Sequence, residues 1–526
     1  MIQIIGAGLA GLSAAIHLAR RGISCNVFSL QPSERAQSVL AEGGINGAMN
    51  TMGEGDSPAM HFSDTMRGGV YLADAAAVRG MTESAPEILR WLTSLGVPFN
   101  MQHGELMLRN FGGQKKRRTA YARSSTGKII MTALIDEVRK YEAAGLIHRY
   151  PHHEFLRLLT VRNTCLGVRI RDSYTGEITD YSGLTIICSG GMNGVFPGMT
   201  TGTSQNSGHV TATLFAQGVQ LGNPEMLQYH PTTIGISGKR CLVTEAARGE
   251  GGRLYILRGG KPWYFMEELY PELGNLMPRD VVAREMFFVR QRKDCENQVY
   301  LDLTGLSSET WQHRLSDLRA ELLHYLGKDP KDAPIPVHEG IHYFMGGIDV
   351  DIQHRTSMSG LLAAGECCCQ YHGANRLGGN SMLGAIYGGK IAADTAANDD
   401  SAVENVPQPV TDNEPYAAED DAKCIREISR ILLGGLGIVR DAETLRYALQ
   451  SLHQLRILRE YPVRMRNRFI LAEAMLLAAD ARKESRGAHY RSDFPQTDPS
   501  FRQTTVAVCE NGGVQIRFRD LPEEEA

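Results

Sequence analysis

The sequence predicts an α/β chain in three parts: a nucleotide-binding domain built on a parallel sheet, an α+β domain inserted into it, and a C-terminal helical domain. Three observations carry this. An apolar run, a glycine turn, a helical pattern and a second apolar run follow one another over residues 2–28. Composition changes near Gly222, and aromatic and proline residues gather from there to about Gly340. From 422 to 482 the leucines recur at helical spacing. The 526 residues exceed one ordinary core, since domains run to about 100–200 residues. The expected parts are 1–222 with 341–400, then 223–340, then 414–526.

The first part opens with Gly6-Ala7-Gly8-Leu9-Ala10-Gly11 between a short apolar run and a helical pattern ending at Gly22. In this order the first glycine turns the chain, the second admits a pyrophosphate and the third lets helix and strand pack, while the positive helix N-terminus faces the phosphates. The context makes this a Rossmann-like dinucleotide fingerprint. The acidic residue that would hold a ribose about 20 residues on is missing, and the second run ends at Ser29, which can exchange one hydrogen bond there. Residues 35–50, RAQSVLAEGGINGAMN, are too rich in glycine and small residues for a helix, and read as a loop whose amides face something planar or anionic. Helical spacing returns at 75–95 and 126–141. Residues 156–170 and 183–188 read as strands returning to the same sheet, closed by Ser189-Gly190-Gly191.

The inserted part holds Gln228-Tyr229-His230-Pro231, the run Thr244-Glu245-Ala246-Ala247-Arg248, and Pro278-Arg279-Asp280. Taken singly, these read as a structural histidine, a local i,i+3 ion pair and a helix-start ion pair. His342 and the stretch His372-Gly373-Ala374-Asn375-Arg376-Leu377-Gly378-Gly379 follow. A fixed cation among small residues suits a carboxylate lying against a flat cofactor, although alone it reads as a turn with a surface arginine.

A net charge of −4 excludes the broad basic excess of a nucleic-acid-binding chain. The dense basic run, Lys115-Lys116-Arg117-Arg118, reads as a solvated loop. Ten cysteines include no CxxC pair, and Cys367, Cys368 and Cys369 are adjacent. This spacing points to small buried thiols in a reducing cytosol and to no metal. No apolar run reaches the roughly 18 residues of a membrane helix, and Met1 opens a strand where a signal peptide would lie. A cytoplasmic chain is expected, touching membrane only through a partner. Residues 400–413 form a polar linker, and 501–518 a hairpin around Asn511-Gly512-Gly513.

These motifs in this order, with AEGGINGA, QYHPT, TEAARGEGG, PRDVVAR, HYFMGG, AAGE, HGANRLGGNSML and SRGAHY, resemble the flavoprotein subunit of succinate dehydrogenase and fumarate reductase, a family that includes L-aspartate oxidase. The resemblance spans nearly the whole chain and is strongest to quinone-linked bacterial subunits. It implies FAD, with Gly6, Gly8 and Gly11 at the pyrophosphate, Ser29 and Ser38 beside the cofactor, and Gly43 and Gly44 by the flavin. Glu366 would meet ribityl or ribose hydroxyls, and Ser381 and Leu383 the pyrimidine edge. It implies a dicarboxylate gripped by His230, Thr244, His342 and Arg376, Arg279 as proton donor, and Glu245 with Arg248 as relay. A separate iron–sulfur subunit and a membrane anchor are the implied partners.

Three positions depart from the family pattern. Gln37 stands in Arg35-Ala36-Gln37-Ser38 where membrane-linked members carry the histidine that bonds the flavin, so FAD is expected without a covalent link. His209 stands where relatives carry an acid, and Lys116 and Arg117 replace a His-His pair. Gln37 and the compact C-terminus also fit L-aspartate oxidase, whereas Leu377-Gly378-Gly379, GGINGAMN and KPWYF fit the quinone-linked subunits.

Overall fold

The computed structural model describes residues 1–123, 125–399 and 421–522; the expected linker at 400–413 lies outside them. Five strands, Leu361–Ala363, Thr185–Ile187, Ile2–Ile5, Cys25–Ser29 and Ile147–Pro151, form an all-parallel sheet in that order. All four residues of Ile2–Ile5 are buried, as befits a parallel strand covered on both faces. Helices Leu9–Arg20, Ala75–Ser94, Thr126–Ala143 and Asn380–Ala397 supply most of the core against it.

One stretch of strands leaves this sheet. His153–Val161, Thr164–Asp172 and Ile178–Ser182 make a separate antiparallel meander, and only Thr185–Ile187 returns to the parallel sheet. The two-residue turn at Arg162, where φ is +53°, explains the departure from expectation: a hairpin that tight forces antiparallel pairing. Residues 35–50 also carry more regular structure than a loop, with 3₁₀ turns Ser33–Arg35 and Gln37–Leu40 and the short strand Ile45–Asn46.

The inserted region forms a six-stranded antiparallel sheet, ordered Lys239–Leu242, Leu227–Ile236, Ile335–Phe344, Cys295–Asp302, Arg253–Arg258 and Lys261–Trp263. Helix Arg279–Arg290 packs on it. Strand Ile335–Phe344 runs through residue 341, so the expected boundary falls inside a strand, and His342 belongs to the cap sheet. Helices Ala422–Gly435 and Ala442–Ile457 begin with Asp421 and Asp441 accepting amides of the first turn. The terminal hairpin, Gln503–Glu510 with Gly513–Asp520, pairs onto Leu221–Gly222 and so ties the end of the chain to its middle.

The basic run divides. Lys115 and Arg117 are exposed, but Arg118 is fully buried between Asp56 and Asp64, at 2.9 and 2.8 Å. It is an internal tie and not part of a solvated loop.

Candidate active site

One continuous cavity joins the parallel sheet to the cap. Phe28, Ser29, His153 and Glu154 line it, then Gly6, Gly8 and Ser189, then Ser38, Gly43, Gly44, Glu366 and Ser381, and finally His230, Thr244, Glu245, Arg279, His342 and Arg376. Gly6 turns at φ +117° against the Cys188 carbonyl, and a Cβ on Gly11 would fall 1.9 Å from the Gly6 oxygen. Gly11 therefore packs helix on strand and does not line the cavity, contrary to its expected place at a pyrophosphate. Leu383 is likewise absent from the wall. Its side chain is fully buried in the core of the parallel sheet, because helix Asn380–Ala397 turns that face inward while Ser381 and Met382 face the cavity.

The residues present fit FAD. Two helix N-termini, at Leu9 and Asn380, open on the cavity behind glycines that leave their first turns without a cap from that position. Ser38 Oγ accepts the Leu9 amide at 3.2 Å, and Ser29 Oγ donates to the Gln31 carbonyl at 2.7 Å. Arg109 is buried and donates to the carbonyl of Gly43, which fixes the loop that would face the flavin. Glu366 accepts the Phe344 amide at 3.2 Å, and burial raises its carboxyl to about 7. Gln37 lines the cavity and accepts the Thr203 amide at 2.5 Å. His209 also lines it; burial pushes its pKa down to about 3, and its ring is held by the Phe155 carbonyl and Thr213.

At the cap end the charges are buried and asymmetric. Arg279 donates to Glu245 Oε2 through Nη2 at 2.6 Å and Nε at 3.0 Å. Arg248, which does not line the cavity, reaches Glu245 Oε1 at 3.2 Å and the Asn275 carbonyl at 2.6 Å. Burial acts to raise the Glu245 carboxyl, but Arg279 and Arg248 outweigh it and hold the pKa below the usual range. With Arg376, three guanidiniums face one carboxylate, an excess suited to a dianion.

Two neutral imidazoles complete this end. Burial, then Arg279, drives His230 and His342 well below the ordinary histidine pKa. Their rings lie 5.0 Å apart, and His342 Nδ1 meets Thr201 Oγ1 at 2.7 Å. His230 Nδ1 lies 3.2 Å from both the amide and the carbonyl of Thr232, while Nε2 is a fully buried atom with no protein partner. Arg376 Nε is a second such atom. Unpaired buried polar atoms are costly unless a ligand takes them up.

Sequence reasoning passed over two side chains at this end, one behind the wall and one in it. Gln228 accepts from Arg279 at 3.2 Å and donates to Asn375 and the Arg376 carbonyl, both at 2.8 Å, so one amide bridges the cap to the arginine loop. Its place in Gln228-Tyr229-His230-Pro231 was the available signal. Phe111 lines the cavity beside Gly43 and Gly378; the Gly112-Gly113 pair after it was the hint.

Comparison with known proteins agrees with this geometry. The family described as FAD binding domain matches residues 2–382, and that described as fumarate reductase flavoprotein C-term matches 458–526. The succinate dehydrogenase flavoprotein subunit of Bacillus subtilis is 36% identical, covering 96% of this chain and 93% of its own. An L-aspartate oxidase of Pyrococcus furiosus is 35% identical, covering 97% and 99%. The E. coli quinol fumarate reductase flavoprotein superposes with a TM-score of 0.87 at 28% identity, covering 99% and 96%. The chain belongs to the flavoprotein family of succinate dehydrogenases and fumarate reductases, FAD-dependent oxidoreductases.

Proposed function

We propose that this chain interconverts fumarate and succinate, favours fumarate reduction, and holds FAD without a covalent bond. The observation that carries the reading is the buried line Arg279–Glu245–Arg248 ending at a cavity that also presents His230, Thr244, His342 and Arg376. FAD, when bound, supplies a hydride to one alkene carbon. Arg279 gives a proton to the other, and fumarate plus hydride plus proton yields succinate. A guanidinium is a weak acid, so the donation needs the developing carbanion to be the stronger base. Glu245, within hydrogen-bond distance of both arginines, returns the proton. Arg376 and His230, through its unpartnered Nε2, bind carboxylate oxygens, and neutral histidines do so without adding charge.

The likeness to L-aspartate oxidase makes oxidation of aspartate the second reading. An α-ammonium needs a free carboxylate near the reacting carbons; Glu245 is occupied by Arg279 and Arg248, and the wall beside it is the apolar ring of Phe111. This supports the fumarate reading. Relatives that work with quinols support a separate iron–sulfur protein as electron donor, with membrane attachment through such partners. No helix among the described residues is long and apolar enough to cross a membrane.

Gln37 cannot form a histidyl bond, so acid precipitation should release the flavin; colour retained on a denaturing gel would refute non-covalent binding. Without that ring substituent the reduced flavin should be the stronger reductant, and about 30 mV is worth tenfold for a two-electron couple. With dyes of matched driving force, fumarate reduction should outrun succinate oxidation, and aspartate should yield no peroxide. Arg279→Gln should retain FAD and lose at least about 100-fold in turnover. A rate above about a tenth of wild type, a loss under ~1.4 kcal/mol, would remove Arg279 from the acid role.

A further inference from the structure

The segments HGANR and SRGAHY, at 372–376 and 485–490, lie far apart in sequence and touch in the fold. The Ala488 amide donates to the Ala374 carbonyl at 2.9 Å, and the Ala374 amide donates to the Gly69 carbonyl at 2.9 Å. Between these contacts sits Gly487 at φ +55°, where a Cβ would fall 2.5 Å from the Ala374 oxygen and 2.8 Å from its carbonyl carbon. Only glycine permits that approach.

Arg376 makes few bonds of its own. Its Nη1 reaches the neighbouring Leu377 carbonyl at 3.3 Å, its Nε has no protein partner, and its guanidinium lies 4.5 Å from the centre of the Tyr343 ring. Its aim is therefore inherited from the backbone of its loop. Gln228 holds that loop from the cap side, and Asn375 donates to the Gly68 carbonyl at 3.1 Å. The C-terminal segment supplies the remaining support.

The turn under the loop is strained. Val70 and Tyr71 both occupy the left-handed region, at φ +52° and +55°, which is costly for a β-branched residue and persists only where surroundings over-determine it. Arg486 is part of what does so. Buried, it binds Glu484 at 2.7 and 3.0 Å and donates to the Val70 carbonyl at 2.8 Å and the Asp498 carbonyl at 3.0 Å. Arg502 donates to the Tyr71 carbonyl at 3.2 Å.

We infer that Arg486 and Gly487 are positioning residues for Arg376: the C-terminal segment sets the height of the arginine loop, and with it the affinity for the substrate carboxylate. This rests on the dicarboxylate reading above. The step from support to affinity is short, because a displacement of about 1 Å at a positioned group costs on the order of 100-fold.

The test compares Gly487→Ala with Gly512→Ala in the FAD-loaded protein. Gly512 has φ +77° with nothing within 4 Å of a Cβ. Both variants place alanine in the left-handed region, and only the first meets Ala374. Gly487→Ala should raise the KM for fumarate, and the Kd for malonate measured by calorimetry, about tenfold or more. Its FAD content should match that of Gly512→Ala. Equal KM and Kd in the two variants would overturn the inference. If Gly487→Ala does not fold, Arg486→Lys reads the same coupling, since lysine can stay by Glu484 but cannot also span both carbonyls. A wild-type KM and Kd in that variant would overturn it too. Wild-type protein that neither binds malonate nor reduces fumarate refutes the dicarboxylate reading; a competent wild type that Gly487→Ala and Arg486→Lys both match refutes only the positioning role.

Discussion

Arg482 and Arg376 are both buried, and they are used in opposite ways. Arg482 binds Glu225 at 2.7 Å, Glu484 at 3.0 Å, the carbonyls of Phe501 and Gln503 at 2.8 Å each, and Thr505 at 2.6 Å. Arg376 has one long contact to its neighbour's carbonyl, and burial, then Arg279, pushes its pKa down to about 9. Removing a charge from water is expensive, and full pairing offsets that cost. Arg482 has that offset inside the protein and joins the C-terminal segment to strand Gln503–Glu510 and to Glu225. Arg376 lacks it, as suits a cation kept for a ligand's carboxylate.

The largest effect that tests this contrast is on stability. Arg482→Met leaves two buried carboxylates short of a partner and should cost about 3–5 kcal/mol. Denaturant unfolding within about 1 kcal/mol of wild type would end the distinction. Arg376→Met should behave oppositely, with stability unchanged or higher by about 1 kcal/mol and KM for fumarate raised at least about tenfold, ~1.4 kcal/mol. A variant that loses stability while keeping its KM would mean that Arg376 is structural.

The smallest effect sharpens the contrast on the anionic side. Glu484 lies against two arginines, whereas Glu366 meets backbone amides and is raised from 4.5 to about 7, burial being the largest cause. A raised carboxyl pKa means that the fold holds the proton more tightly than the unfolded chain does. Its contribution is fully present below about pH 4.5 and is lost as pH rises through about 7, on the order of 3 kcal/mol. Glu366→Gln stays neutral throughout, so the melting temperature of the flavin-free protein should fall less between pH 5 and 7.5 than in wild type. Parallel slopes would show that Glu366 does not carry the dependence.

The dinucleotide end was legible because its chemistry is local. The turn at Gly6, the open helix N-terminus after Gly8 and the packing glycine at 11 lie within six residues of one another, and spacing alone restricts what such a stretch can do. The hairpin around Gly512 and the helices over 422–482 were legible for the same reason. Where pairing depends on a distant strand, spacing failed: residues 156–170 folded back on themselves, and the cap strand ran through 341.

By itself the sequence determined the α/β order, the nucleotide fingerprint, the long helices and, through its chain of motifs, the family. Only the tertiary structure decided how each arginine is paired. Arg118, Arg376 and Arg482 carry the same side chain and all three are buried; one is an internal tie, one is left unpaired over a cavity and one closes the C-terminus. The difference lies in which carboxylates and carbonyls distant segments bring within about 3 Å in a region water has left, and charge has large consequences only after that exclusion.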